Sequence, residues 1–359
     1  MKKKILVVLM CCIMIMGVFS GCKNSEAKKN GYADKIYLYN WSEYMTQDVL
    51  DGFEKEYGIQ VVQSTYESND EMMAKLTAGK KGEYDIAVPT NYYIRSMKEK
   101  GLLEPYDKNA ITNLKNIDPS YKNLQYDPGN QYTVPYMGTV SLWVGNKKML
   151  DKSGITIKKM SDLKNNALKN NIVLTDDPQD DVCIALTGMG KDPLTNDLNT
   201  IKSTADYWID MKDYIKSISD VSDARTMLAR GEIALANVYS GDALQAMEEN
   251  KDLQIVMDDE KKSFSVDNFV LLKGSKHKKE AELFINYCLR PDVSAKLTEA
   301  YKYVCMNKAA VSHLPDSLAK NTACVLTDKM KKQLFYINDF NPESTSAMVD
   351  VMTKVKSSR

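Results

Sequence analysis

Lys35-Ile36-Tyr37-Leu38-Tyr39-Asn40 opens the stretch 35–101, in which strand and helix patterns alternate. So dense an apolar run over so few residues reads as a short buried strand. After Thr46, the apolar residues Val49, Leu50, Phe53 and Tyr57 recur at helical spacing until Gly58 stops them. Residues 59–65 read as a second strand. Ser68, with Glu71 three positions on, makes a capping box for a helix that carries Met72, Met73 and Leu76 and ends near Gly79. A third strand over 84–88 is closed by Pro89, and a helix follows to Gly101. Strand, helix, strand, helix, strand implies a parallel sheet covered by helices, so the fold class is α/β.

The pattern returns in the second half without any sequence repeat. A strand over 171–174 feeds Asp177-Pro178 and then a helix, and 200–217 reads as one long helix with Ile201, Ala205, Trp208, Ile215 and Ile218 on a single face. Strands follow over 233–239 and 264–272. No linker rich in Pro, Gly or Ser parts the halves, so the chain is expected to cross between two lobes more than once, through strands such as 139–146 and 264–272. In sheets of this kind, ligands bind at the carboxyl ends of strands.

Composition narrows the function. With 359 residues, 43% of them hydrophobic and 27% charged, the chain is an ordinary globular protein. At about 150 residues per domain it is long enough for roughly two domains. Lys+Arg and Asp+Glu both number 48, so no basic excess points to nucleic acid. Only His277 and His313 occur, which argues against histidine-centred catalysis and multi-histidine metal sites. Gly188-Met189-Gly190 has Pro193 where a dinucleotide fingerprint needs its third glycine, and no Walker loop occurs. Neither a cofactor nor a metal is expected.

The N-terminus reads as an export signal. Lys2, Lys3 and Lys4 precede a 14-residue apolar run over 5–18, shorter than the roughly 20 residues a membrane-spanning helix needs. Ser20-Gly21-Cys22 resembles the bacterial lipobox, with Phe19 where that pattern prefers Leu, so residues 1–21 are expected to be removed and Cys22 to carry lipid. The lost segment takes three lysines, leaving 45 basic against 48 acidic side chains. Cys183, Cys288, Cys305 and Cys324 form no CxxC pair; outside the cytoplasm they are either disulfides, with three possible pairings, or small buried thiols.

Loops at strand ends carry the suggestive residues. The first ends in Asn40-Trp41-Ser42-Glu43-Tyr44 and the third in Pro89-Thr90-Asn91-Tyr92-Tyr93. The strand over 171–174 ends in Thr175-Asp176-Asp177-Pro178-Gln179-Asp180-Asp181, and 233–239 in Ser240-Gly241-Asp242. Asp177 before Pro178 is also an ideal helix cap, and Asp180 and Asp181 suit the positive end of the helix dipole. On pattern alone, aromatics such as Trp41 and Tyr44 are more often core or lobe-interface residues than ligand platforms. Asp267, an acid inside an apolar strand, is the best single clue, because a buried carboxylate costs several kcal/mol unless a cation or hydrogen bonds compensate it. Carboxylates with aromatic faces, and no histidine, arginine or phosphate-cradling loop, suit a flexible aliphatic polyamine.

The chain resembles the spermidine/putrescine-binding proteins of bacterial polyamine ABC transporters over essentially all of 33–355. The likeness is carried by Tyr39-Asn40-Trp41-Ser42-Glu43-Tyr44, Ser64-Thr65-Tyr66-Glu67-Ser68-Asn69, Tyr84-Asp85-Ile86-Ala87-Val88-Pro89, Leu174-Thr175-Asp176-Asp177 and Leu289-Arg290-Pro291-Asp292-Val293. It implies a type II periplasmic-binding-protein fold of two α/β lobes around a cleft that closes on ligand. Expected limits are 1–21 for the signal, 22–32 for a polar tether, 33–140 with 267–312 for the first lobe, and 141–266 with 313–359 for the second. The amine-binding positions implied are Trp41, Ser42, Glu43, Tyr44, Thr90, Tyr92, Asp177, Asp180, Tyr239, Asp267 and Tyr303. Ser265 and Tyr239 stand where the family commonly has tryptophans, and Ile337 where a glutamine is usual. Expected partners are a polyamine, the permease subunits of an ABC transporter and a membrane reached through lipid on Cys22; the protein itself is expected to be a monomer without catalytic activity.

Two rival classes remain open at this point. An exported hydrolase would use Asp177 and Asp180 as an acid/base pair, although such pairs normally come from separate elements. A binding lipoprotein of the same fold would hold ferric iron on Tyr92 and Tyr93, or a sugar stacked on Trp41.

Overall fold

The computed structural model describes residues 31–257, 259–337 and 340–358; the expected signal, Cys22 and the tether up to residue 30 lie outside them. The chain forms β1 (Lys35–Trp41), β2 (Gln60–Tyr66), β3 (Ile86–Ala87), β4 (Leu103–Glu104), β5 (Thr133–Asn146) and β6 (Ile172–Thr175). β7 (Ile215–Ser219), β8 (Leu235–Tyr239), β9 (Leu253–Val256), β10 (Lys262–Leu272), β11 (Val304–Cys305) and β12 (Leu334–Tyr336) follow. The main path through the sheet runs β2-β1-β3-β10-β5-β8-β6-β7.

β1 lies parallel to both β2 and β3, as the alternation of strands and helices requires. The helix Gln47–Tyr57 between them buries Val49, Leu50 and Phe53 and stops at Gly58, whose φ of 70° is the left-handed geometry of a helix end. Ser68 caps the helix Asn69–Ala78 through the Glu71 amide. β6 repeats the arrangement, parallel to β7 and β8 on its two sides. Two such units, closed by antiparallel strands, make the two α/β lobes of a periplasmic-binding-protein fold.

Long strands join the lobes. β5 pairs with β10 over Thr133–Val140 and then, from Ser141 to Asn146, with β8 and β9. It begins six residues before the expected 139, and β3 is shorter than the expected 84–88. The register between β10 and β5 shifts between Asp267 and Asn268, a bulge that turns the strand at the carboxylate.

The long helix expected over 200–217 is instead the helix Leu198–Asp210, a turn, and β7. Ile215 and Ile218, three apart, share a face of a helix, whereas an unbroken strand would send them to opposite faces, so the periodicity favours the helix. A hydrogen-bonded turn, in which Tyr214 N–H donates to Met211 O at 3.0 Å, ends the helix, and the open edge of β6 takes the next residues into the sheet.

One core cluster runs through both lobes, and the second lobe has a further centre of its own. Trp208 is fully buried, donates its indole N–H to Asp181 O at 3.1 Å, and shares a core with Met348, Val351 and Met352 of the C-terminal helix Pro342–Ser357. Phe53 meets Phe284 edge-on at 5.0 Å beneath the other half. Cys183, Cys288, Cys305 and Cys324 are free thiols, all buried. No helix among the described residues is long and apolar enough to cross a membrane.

Candidate functional site

Loops at the carboxyl ends of the parallel strands meet over a cavity of about 410 Å³ between the lobes. From β1, Trp41 is half-buried, tilts against Tyr66 at 4.8 Å and donates its indole N–H to Val88 O at 2.9 Å. Glu43 turns the chain with a φ of 49°, which sends Tyr44 inward, where it is buried. Ser42 Oγ donates to Glu67 Oε2 at 2.7 Å at the end of β2.

Asp267 is the hub. Its Oδ2 accepts from Tyr44 OH and its Oδ1 from Thr90 Oγ1, each at 2.6 Å. Burial pushes its carboxyl up to about 6, against the pull of those two donors. No described lysine or arginine pairs with it.

Asp177 faces it from the other lobe. Oδ1 caps the helix Pro178–Gly188 through the Gln179 and Asp180 amides at 3.0 and 3.1 Å, and Oδ2 accepts from Tyr239 OH at 3.0 Å and from Tyr92 OH at 3.5 Å. Burial raises its carboxyl as well. The side chain thus has both jobs that its position before proline suggests. Asp177→Ala should cost about 0.5–2 kcal/mol of stability through the lost cap, read from denaturation curves. A Ser replacement, which can still cap, should restore most of that stability.

Ten of the eleven implied binding residues line this cavity: Trp41, Ser42, Glu43, Tyr44, Thr90, Tyr92, Asp177, Tyr239, Asp267 and Tyr303. Asp180 does not. It is buried on the flank of its helix that packs on β10, where Ser263 Oγ donates to it, and burial together with the nearby Asp177 charge lifts its carboxyl to about 7. Ser265 lies in the cavity wall, whereas Ile337 is buried elsewhere and offers only its backbone oxygen to Asn91.

Acids and an amide outside the eleven implied binding positions also line the cavity. Glu67, Asn69 and Asp70 follow β2, and Asp242 follows β8. Asp242 was visible in the Ser240-Gly241-Asp242 loop; its Oδ2 accepts from Tyr303 OH at 2.8 Å. Gly241 makes that contact possible, because a Cβ there would fall 2.6 Å from the Tyr303 ring. The expectation of a site without arginine is corrected. Arg225, from the helix after β7, lines the cavity and pairs with Asp242 at 3.3 Å and with Glu43 of the opposite lobe at 3.2 Å.

The family described as bacterial extracellular solute-binding protein matches residues 48–356. The spermidine/putrescine-binding periplasmic protein of Salmonella typhimurium is 34% identical over 289 residues, covering 80% of this chain and 82% of its own. A putrescine/cadaverine-binding protein of Pseudomonas aeruginosa is 30% identical over 334 residues, 90% of this chain and 94% of its own. Among solved structures, the substrate-binding protein of a spermidine/putrescine ABC transporter from Streptococcus pneumoniae superposes with a TM-score of 0.80 at 29% identity, covering 91% of this chain and 99% of that one. With its two lobes, its interlobe cavity and a family match over residues 48–356, the chain belongs to the bacterial extracellular solute-binding proteins.

Proposed function

We propose that this protein captures a polyamine, spermidine or putrescine, outside the cytoplasm and hands it to the permease subunits of an ABC transporter. One observation carries the reading: Asp267 is a buried carboxylate with hydroxyl donors and no cation among the described residues, in a cavity whose half-buried Asp177 likewise has no described cationic partner. Ligand ammonium groups supply the missing charge, and the rings of Trp41, Tyr92, Tyr239 and Tyr303 give the methylene chain apolar walls. The names of the relatives point the same way.

The rival readings fit the geometry less well. Ferric iron would need phenolates at Tyr92 and Tyr93, and burial, with carboxylates close by, raises both phenols. Asp177 and Asp180 do not face a common reacting bond, since Asp180 is turned to Ser263, which supports binding without catalysis. Calorimetric titration with putrescine, spermidine, arginine, a sugar panel and ferric iron is the test. Only the polyamines should bind tightly and raise the unfolding temperature by mass action; equal stabilisation by arginine and spermidine would overturn the assignment.

In this reading the first lobe is 33–140 with 267–312 and the second 141–266 with 313–359. The bond from Cys305 N–H to Cys324 O supports carrying the first lobe on through residue 326. The mature protein acts as a monomer held to the membrane by lipid on Cys22. Cys22→Ala should move it from the membrane fraction to the soluble extracytoplasmic fraction; a variant that stays with the membrane would rule the anchor out.

A further inference from the structure

Three cavity carboxylates lie wholly or largely out of solvent: Asp177, Asp242 and Asp267. Asp242 differs from the other two in having a cation of the protein's own. Arg225 Nη1 reaches Asp242 Oδ1 at 3.3 Å and Gln245 Oε1 at 3.0 Å, while Nη2 reaches Glu43 Oε2 at 3.2 Å across the lobe boundary. Tyr303 OH holds the second oxygen of Asp242 at 2.8 Å. Both oxygens of Asp242 are therefore engaged, and the guanidinium fills the place that a ligand ammonium would take. Asp176, more exposed in the cavity wall, is likewise matched, by Lys356 at 2.6 Å. Asp267 and Asp177, by contrast, are met among the described residues only by hydroxyls and helix amides.

We propose that Arg225 is a specificity-determining residue: it stands in for a third ammonium at Asp242, leaving two anionic subsites, at Asp267 and Asp177, and so tuning the cavity to a linear diamine over a triamine. The inference rests on the polyamine reading above and deepens it. A diamine places one ammonium at Asp267, beside Tyr44 and Thr90, and the other at Asp177, beside Tyr239 and Tyr92. The extra ammonium of a triamine finds Asp242 already neutralised and meets a like charge, which in a cavity of low dielectric is strongly unfavourable. Displacing the guanidinium would break its contacts to Asp242, Gln245 and Glu43 together. A planar fork making several directed bonds is harder to move than a single lysine ammonium.

The test is calorimetric titration of putrescine and spermidine against the wild type, Arg225→Gln and Arg225→Lys at pH 7.5. The wild type should bind putrescine more tightly than spermidine. Arg225→Gln, which keeps a polar side chain beside Gln245 but frees the Asp242 charge, should shift the ratio of the two dissociation constants toward spermidine by about tenfold or more. Arg225→Lys restores the positive charge and should restore the diamine preference. An unchanged ratio in a folded Arg225→Gln protein would overturn the inference while leaving the polyamine reading intact. If no amine binds the wild type, the polyamine reading itself fails, and this inference with it. Should Arg225→Gln not fold, Asp242→Asn decides: it leaves the guanidinium without its acid and must move the ratio further from spermidine, and an unmoved ratio overturns the inference.

Discussion

Asp267→Asn should weaken polyamine binding by about 2–5 kcal/mol, roughly thirtyfold or more in Kd, the usual cost of truncating one partner of a desolvated charge pair. The same change should leave the ligand-free protein as stable as the wild type or more so. Asparagine keeps an oxygen for Thr90 or Tyr44 to donate to, and it removes a carboxyl that burial already pushes up to about 6. Loss of binding with no loss of stability separates a ligand-directed acid from a structural one. Titration beside ligand-free denaturation at pH 7.5 checks both halves. Wild-type affinity in Asp267→Asn would show that the carboxylate serves the fold and that the cavity recognises its ligand elsewhere.

Acidification should move affinity and stability in opposite directions. A bound ammonium requires ionised carboxylates, and in the empty cavity Asp267 sits at about 6 with Asp177 also raised, both chiefly by burial. Between pH 7.5 and pH 5 Asp267 takes up a proton that the ligand must expel. Affinity should fall about tenfold for each carboxyl that must ionise, per pH unit below its pKa. The ligand-free fold responds with the other sign. Asp267 and Asp242 at about 6, and Asp180 at about 7, bind protons more tightly folded than unfolded. Their destabilising effect is complete only above about pH 8, since Asp180 is still half protonated at its pKa, and is relieved as pH falls toward the ordinary carboxyl range near 4. Unfolding temperature of the empty protein should therefore rise from pH 8 to pH 5 while the polyamine Kd grows. A parallel fall of both would mean that other groups control the acid response.

The first lobe was legible because its punctuation is local. Gly58 and the Ser68 cap act over single turns, so the order β1, helix, β2, helix, β3 could be read directly and the sheet followed from it. Asp267 was legible for the opposite reason, as a residue that local structure leaves unexplained. β7 was not, since Ile215 and Ile218 satisfy a helical period and only the neighbouring edge of β6 decides between the two. That error hid a strand end, and with it the loop at Asp220 and the helix that presents Arg225 to the cavity. Asp180 illustrates a different limit. Residues three apart at a helix start look equivalent in sequence, but here one caps the helix toward the cleft and the other is buried against β10. Pairing of Arg225 with Glu43 joins residues 182 positions apart, beyond the reach of any spacing argument.

The shared strands also set an order of assembly. β1, β2 and β3 are in place by residue 87, yet the strand that covers β3 is β10, which starts at Lys262, and β11 at Val304 pairs with the opposite edge of β5. The first lobe therefore has an open edge until about three-quarters of the chain has been made. Pairings this distant in sequence close slowly, because the intervening loop entropy is spent before the contacts repay it. Slow closure keeps a nascent chain extended for longer, the form in which a polypeptide can be threaded through a membrane pore, and it forbids cutting the molecule into two halves that fold alone. A circular permutant opened at the exposed turn near Gly129 would inherit the same interdependence.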